Sequence, residues 1–148
     1  NITSYVRRYN MVIVDELYHN VVITLPQLKL IEFIMKLKEA KAQEIEDIKT
    51  KISKYEEKKR AEEAWYQSLS PFRKFFTGRP LSQHQAVEYM VYVKERFKKI
   101  DHLKAQMREL HEVLELIKAE NEETSEITLS PAIVQEIKRL KSSGGVGI

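Results

Sequence analysis

SQHQAVEYMVYVKERFKKIDHLKAQMRELHEVLELIKAE, residues 82–120, decides the fold. Its apolar residues fall at Ala86, Met90, Val93, Phe97, Ile100, Leu103, Met107, Leu110, Leu114 and Ile117. Steps of three and four alternate along this series, with one three-residue slip after Ile100, which is the spacing of a coiled-coil seam. Lys94, Glu95, Lys98, Lys99, Glu109, Glu112 and Glu115 take the other faces, so one stripe is dry and the rest is wet. No Pro or Gly interrupts the pattern. A helix of this length runs roughly 55–60 Å at about 1.5 Å per residue. That is too long for a small globule to bury, so it needs a partner of matching length.

The partner is legible upstream. In 25–69 a second stripe reads Leu30, Ile34, Leu37, Ile45, Ile48, Ile52 and Tyr55, with Ala61, Trp65 and Leu69 nearer its end. The connection 70–81 contains Pro71, Gly78 and Pro80, so the chain turns there and an antiparallel hairpin is the simplest closure. Facing residues should then have numbers summing to about 151, twice the loop midpoint. This register opposes Tyr55 to Phe97, Ile52 to Ile100, Ile48 to Leu103, Ile45 to Met107, Leu37 to Leu114 and Ile34 to Ile117.

Outside the hairpin the patterns are shorter. Residues 11–14 and 21–24 are β-branched runs around a polar break and read as a small strand pair, although Asp15, Glu16 and Leu17 leave a helix over 11–19 as the alternative. Thr24, Pro26 and Gln27 have the order of a capping box opening the first helix. Residues 25–37 are apolar on more than one face and require further cover. Residues 127–129 are a candidate third strand. Ser130-Pro131 starts a short helix with Ile133, Ile137 and Leu140 on one face, placed to cover 28–35.

The expected architecture is therefore mainly α: a long antiparallel two-helix coiled-coil hairpin with a small β element and a short C-terminal helix at its base. It reads as a single elongated domain, 1–148. Its parts are a β-rich segment 1–24, arms 25–69 and 82–120, a loop 70–81, a strand plus helix 127–141 and a flexible tail 142–148.

Composition bounds the function. Of 148 residues 32% are charged, enough to solvate the outside of long helices, and four Gly with four Pro do not suit an all-β or disordered chain. No apolar run is long enough for a transmembrane segment. With no Cys there is no thiolate catalysis or thiolate zinc site, and a cytoplasmic location is expected. The charge is unevenly placed. Residues 54–108 hold thirteen Lys/Arg against seven Asp/Glu, and residues 109–126 hold seven Glu against Lys118 alone.

Catalytic signatures are missing: there is no Gly-rich phosphate loop and no nucleophile elbow, and the four His are scattered. His111 with Glu115 and His84 with Glu88 have helical spacing, as do Glu44 and Asp47, but without Glu-x-x-His pairs on an inward face they read as solvated surface. The reading is non-enzymatic, with no cofactor and no metal.

The loop end is the candidate site. Trp65, Phe72, Arg73, Lys74, Phe75, Phe76 and Arg79 interleave aromatic rings with cations. This pattern suits an unidentified protein partner. It also suits nucleic acid, with rings stacking on bases and cations holding phosphates, or an anionic membrane interface. Tyr5, Arg7, Arg8 and Tyr9 form a second, smaller basic-aromatic cluster that reads as a solvated lead-in. The competing expectation for the loop is structural: Phe72, Phe75, Phe76 and Trp65 pack on Val87, Tyr89 and Val91 to close the hairpin. Because one seam leaves two long helices thinly covered, a homodimer is expected. The function read from sequence is a protein–protein interaction or assembly module presenting its aromatic-basic end to a partner, with nucleic-acid binding through the same end as the alternative.

Overall fold

Long helices pair because the stripes on 25–69 and 82–120 have nowhere else to go, and the computed structural model has them packed as a hairpin. It describes residues 10–78, 82–119 and 126–144, with the backbone only at Ser82 and Gln83. In chain order come β1 (Asn10–Asp15), β2 (Val21–Pro26), α1 (Gln27–Ser68), α2 (Pro71–Phe76) and α3 (Ser82–Tyr89). A π-helical turn, Met90–Lys94, leads into α4 (Glu95–Ala119), followed by β3 (Glu126–Leu129) and α5 (Pro131–Gly144). The fold divides into two compact units, 1–41 with 105–148 and 42–104.

In the first unit the strands form one sheet in the order β2-β1-β3. β1 and β2 are antiparallel with Asn10 opposite Pro26, and β3 lies parallel to β1 with Ile13 opposite Ile127. The β1–β2 turn is held by Asp15, whose Oδ1 accepts the backbone N–H of Leu17 at 2.7 Å and of Tyr18 at 3.1 Å. His19 completes it at φ 55°, a left-handed conformation that His adopts more readily than most residues. A hairpin, not a helix, thus occupies 11–19.

The ladder runs to Pro26, which corrects the expected capping box. Thr24 is a strand residue paired with Val12, and α1 begins at Gln27. Continued pairing with β1 supplies ladder hydrogen bonds that a lone side-chain cap would forgo. Met11, Ile13, Ile23, Leu25, Ile127 and Leu129 point into a core with Leu30, Phe33 and Ile34 of α1. Ile133, Val134 and Ile137 of α5 close it. Helix α5 does cover this stretch of α1. It also continues to Gly144, so the first residues of the expected flexible tail are helical; 145–148 lie outside the described residues.

Two polar contacts fix α5. Glu109 on α4 accepts from the backbone N–H and the hydroxyl of Ser130, both at 2.8 Å, tying the residue before the helix to α4. The second contact lies at a seam position that charge disguises. Lys41, only 6% exposed, donates to Gln106 on α4 and Glu136 on α5, both at 2.8 Å. One ammonium therefore joins three helices.

In the second unit Ile45, Ile48 and Ile52 of α1 are buried with Val93, Ile100 and Leu103. The register differs from the loop-midpoint estimate by about one helical turn. Tyr55 stacks on Tyr92 with centroids 4.1 Å apart, and Lys59 meets Glu88 at 3.0 Å. These pairs sum to 147, and Phe97 stands half exposed. The midpoint rule assumes a symmetric loop, whereas six of its residues wind into α2.

The seam itself also changes identity. Ala86 and Met90 are exposed, and Tyr92 and Arg96 are half buried. A π turn carries an extra residue per turn, so the helix before it is rotated relative to the helix after it. The carbonyl of Tyr92 receives a hydrogen bond from the Arg96 guanidinium at 3.0 Å, while that guanidinium lies 3.7 Å from the Tyr92 ring centroid.

Candidate interaction site

The turn between the arms starts where Ser70 ends the run of α1. Its side chain accepts from the N–H of Arg73 and Pro71 follows in the first turn, an N-cap arrangement that starts α2. Thr77 stops the helix in extended conformation, its N–H bonded to the carbonyls of Arg73 and Lys74. Only six residues long, α2 buries none of them.

That last fact bears on the expectation that the loop rings pack to close the hairpin. Phe72 is 73% exposed, Phe75 84%, Phe76 69% and Trp65 58%. The surface expected to receive them is open as well: Val87, Tyr89 and Val91 are all exposed. The rings do not close the hairpin, and the structural expectation for the loop is overturned. Instead they pack on one another, Phe76 edge-on to Phe72 at 4.8 Å and to Phe75 at 5.3 Å. The result is an apolar knob.

Of the cations, Lys74 is turned back toward α1. Lys74 reaches back to Gln67 at 3.3 Å and lies 5.4 Å from the Tyr66 ring centroid. Arg73 is exposed on α2, and Arg79 lies outside the described residues, as does the cluster Tyr5, Arg7, Arg8 and Tyr9. The structure thus brings Phe72, Arg73, Lys74, Phe75 and Phe76 onto one short helix, with Trp65 on the last turns of α1.

Beside this helix is a half-open cavity of about 530 Å³ whose walls include Tyr55, Lys59, Trp65, Tyr66, Glu88 and Tyr89. Lys59 bridges Glu88 at 3.0 Å and Glu62 at 3.6 Å. The hydrogen bond to Glu88 pushes the Lys59 ammonium above its usual value. Glu88 is held below the usual carboxylate range, first by Lys59 and to a smaller extent by the Tyr55 hydroxyl. Burial pushes the Tyr55 phenol up. Of the residues lining this cavity, Trp65 alone is a candidate site residue by sequence. The Lys59–Glu88 pair would have required a register correct to one turn.

Among the described residues no group of three or more His, Cys, Asp or Glu side chains gathers as a metal site would, and no helix is long and apolar enough to cross a membrane. No protein-family model matches the chain, nor does any curated protein or any solved structure.

Proposed function

We propose that this chain is a non-enzymatic interaction module of the cytoplasm that presents the aromatic-basic helix α2 to a protein partner. The observation that carries the reading is the exposed knob: three Phe side chains on a helix that buries nothing. Aromatic residues are costly to leave in water and are enriched where interfaces concentrate binding energy. The cations favour protein over phosphate. Lys59, Lys74, Arg96, Lys98 and Lys99 are each engaged with a neighbouring acid, amide or ring.

Nucleic-acid binding is the alternative, supported by the excess of thirteen Lys/Arg over seven Asp/Glu in 54–108. A salt series with labelled single- and double-stranded nucleic acid separates the two. The proposal expects no binding at low salt. It expects a protein contact that tolerates salt, survives Arg73→Gln with Lys74→Gln, and is lost on Phe72→Ala or Phe75→Ala. Affinity for nucleic acid that falls steeply with salt and with loss of Arg73 and Lys74 transfers the site to the alternative.

A further inference from the structure

We propose that the partner of the knob is a second copy of this chain, with α2 of each copy packed on the outer face of the end of α3 and the π turn that follows it in the other. The inference rests on the interaction-module reading and names its partner. It starts from an imbalance. Among the described residues of 42–104, six large apolar side chains are buried and nine are exposed. A unit that shows water more large apolar residues than it hides has a missing cover.

The size of that cover fits a second protomer. At about 200 Å² per aromatic side chain the exposures of Phe72, Phe75 and Phe76 alone leave roughly 450 Å² uncovered on the knob, before Val87, Met90 and Val91 of the facing stripe are added. A standard interface takes about 800 Å² from each partner.

The chemistry fits as well. Val87 and Val91 lie four apart and Met90 lies three from Val87, so they share one side of the helix, all exposed. Tyr92 and Glu88 meet α1 on the other side. Within one chain this stripe and the knob of α2 leave each other open. Between two chains related by a two-fold axis each knob meets the other's stripe, so one contact is made twice. Such reciprocity gives closure, and no third copy is required. Lys74, drawn back onto Gln67 and Tyr66, leaves the rings to lead.

The chain has no Cys, so placed thiols report without background. One batch carries Phe75→Cys alone and a second, tagged to differ in mass, carries Val91→Cys alone. Mixed and oxidised, they should form the 75–91 disulfide faster than either like-with-like pair, and the untouched chain should scatter light as a dimer. Phe75→Ala, at a site that buries nothing in the monomer, should weaken the dimer at least about thirtyfold, as loss of a central aromatic anchor does.

A monomer at tens of micromolar overturns the proposal, and a monomer that binds anionic vesicles or single-stranded DNA gives the surface to that ligand. A dimer indifferent to Phe75→Ala and without the 75–91 bridge overturns the assigned faces. If the chain is monomeric yet Phe72→Ala or Phe75→Ala still abolishes contact with another protein, only the second copy fails. The interaction-module reading then stands.

Discussion

Replacing Lys41 by Met keeps the length of the side chain and removes its charge and hydrogen bonds. In the native protein the ammonium, with a side chain 7% exposed, bonds Gln106 and Glu136 at 2.8 Å each. The other carboxylate oxygen of Glu136, Oε2, is already buried without a hydrogen-bond partner. Lys41→Met therefore leaves a carboxylate with neither oxygen satisfied in a largely dry place. Breaking a buried pair by removing one partner costs about 3–5 kcal/mol. Glu136 keeps 26% of its side chain in water, enough for partial rehydration, so about 2–3 kcal/mol is expected here. For a chain of this size that lowers the melting temperature by roughly 5–10 °C.

The cycle is completed with Glu136→Met and the double variant, followed by urea titration at pH 7. The double variant should recover at least half of the Lys41→Met loss, because an apolar pair of similar volume has no stranded charge. Stability within about 0.5 kcal/mol of native for Lys41→Met, the range of ordinary surface changes, would refute the clasp.

Further outcomes follow from other contacts. Glu109→Ala removes both bonds to Ser130 and should cost about 1–2 kcal/mol in urea melts, with faster amide exchange over 131–137 than in the native chain. The lowered pKa of Glu88 has a definite sign: its contribution is present above the unfolded value and fades as pH falls below about 4.5 and through the folded one. Being exposed the effect is small, and Glu88→Gln should melt closer to the native protein at pH 3 than at pH 7; a larger gap at pH 3 contradicts it. Phe72→Ala, Phe75→Ala and Phe76→Ala together should leave dilute, monomeric protein within about 0.5 kcal/mol of native. A loss of several kcal/mol in calorimetry would mean that the rings are core residues after all.

How far the sequence could be read depended on which interactions have a period. Ile45, Ile48, Ile52, Ile100 and Leu103 repeat at helical spacing, so both arms and their antiparallel pairing were legible, as were strands and α5 flanked by turn signals. Lys41 is not legible in this way, because a charge at a seam position looks like surface unless its acceptors on two other helices are known. Gln106 and Glu136 are far away in sequence. The π turn at Met90–Lys94 has no signature in residue types, yet across it Tyr92, not the exposed Met90, is the residue that meets α1. Phe72, Phe75 and Phe76 are a cluster already in the sequence. Whether they close on Val87 and Val91 depends on backbone geometry that periodicity does not encode.

The site at the turn end depends on the hairpin in its observed register. Cys placed at 55 and 92, in single chains held dilute, should be joined within one molecule by a short thiol-bridging reagent. The pair at 55 and 97 should lag, since its second site lies about 7.5 Å further along the helix. Bridging at 55 and 97 ahead of 55 and 92 would contradict the register, and no bridge within one chain for either pair would contradict the hairpin.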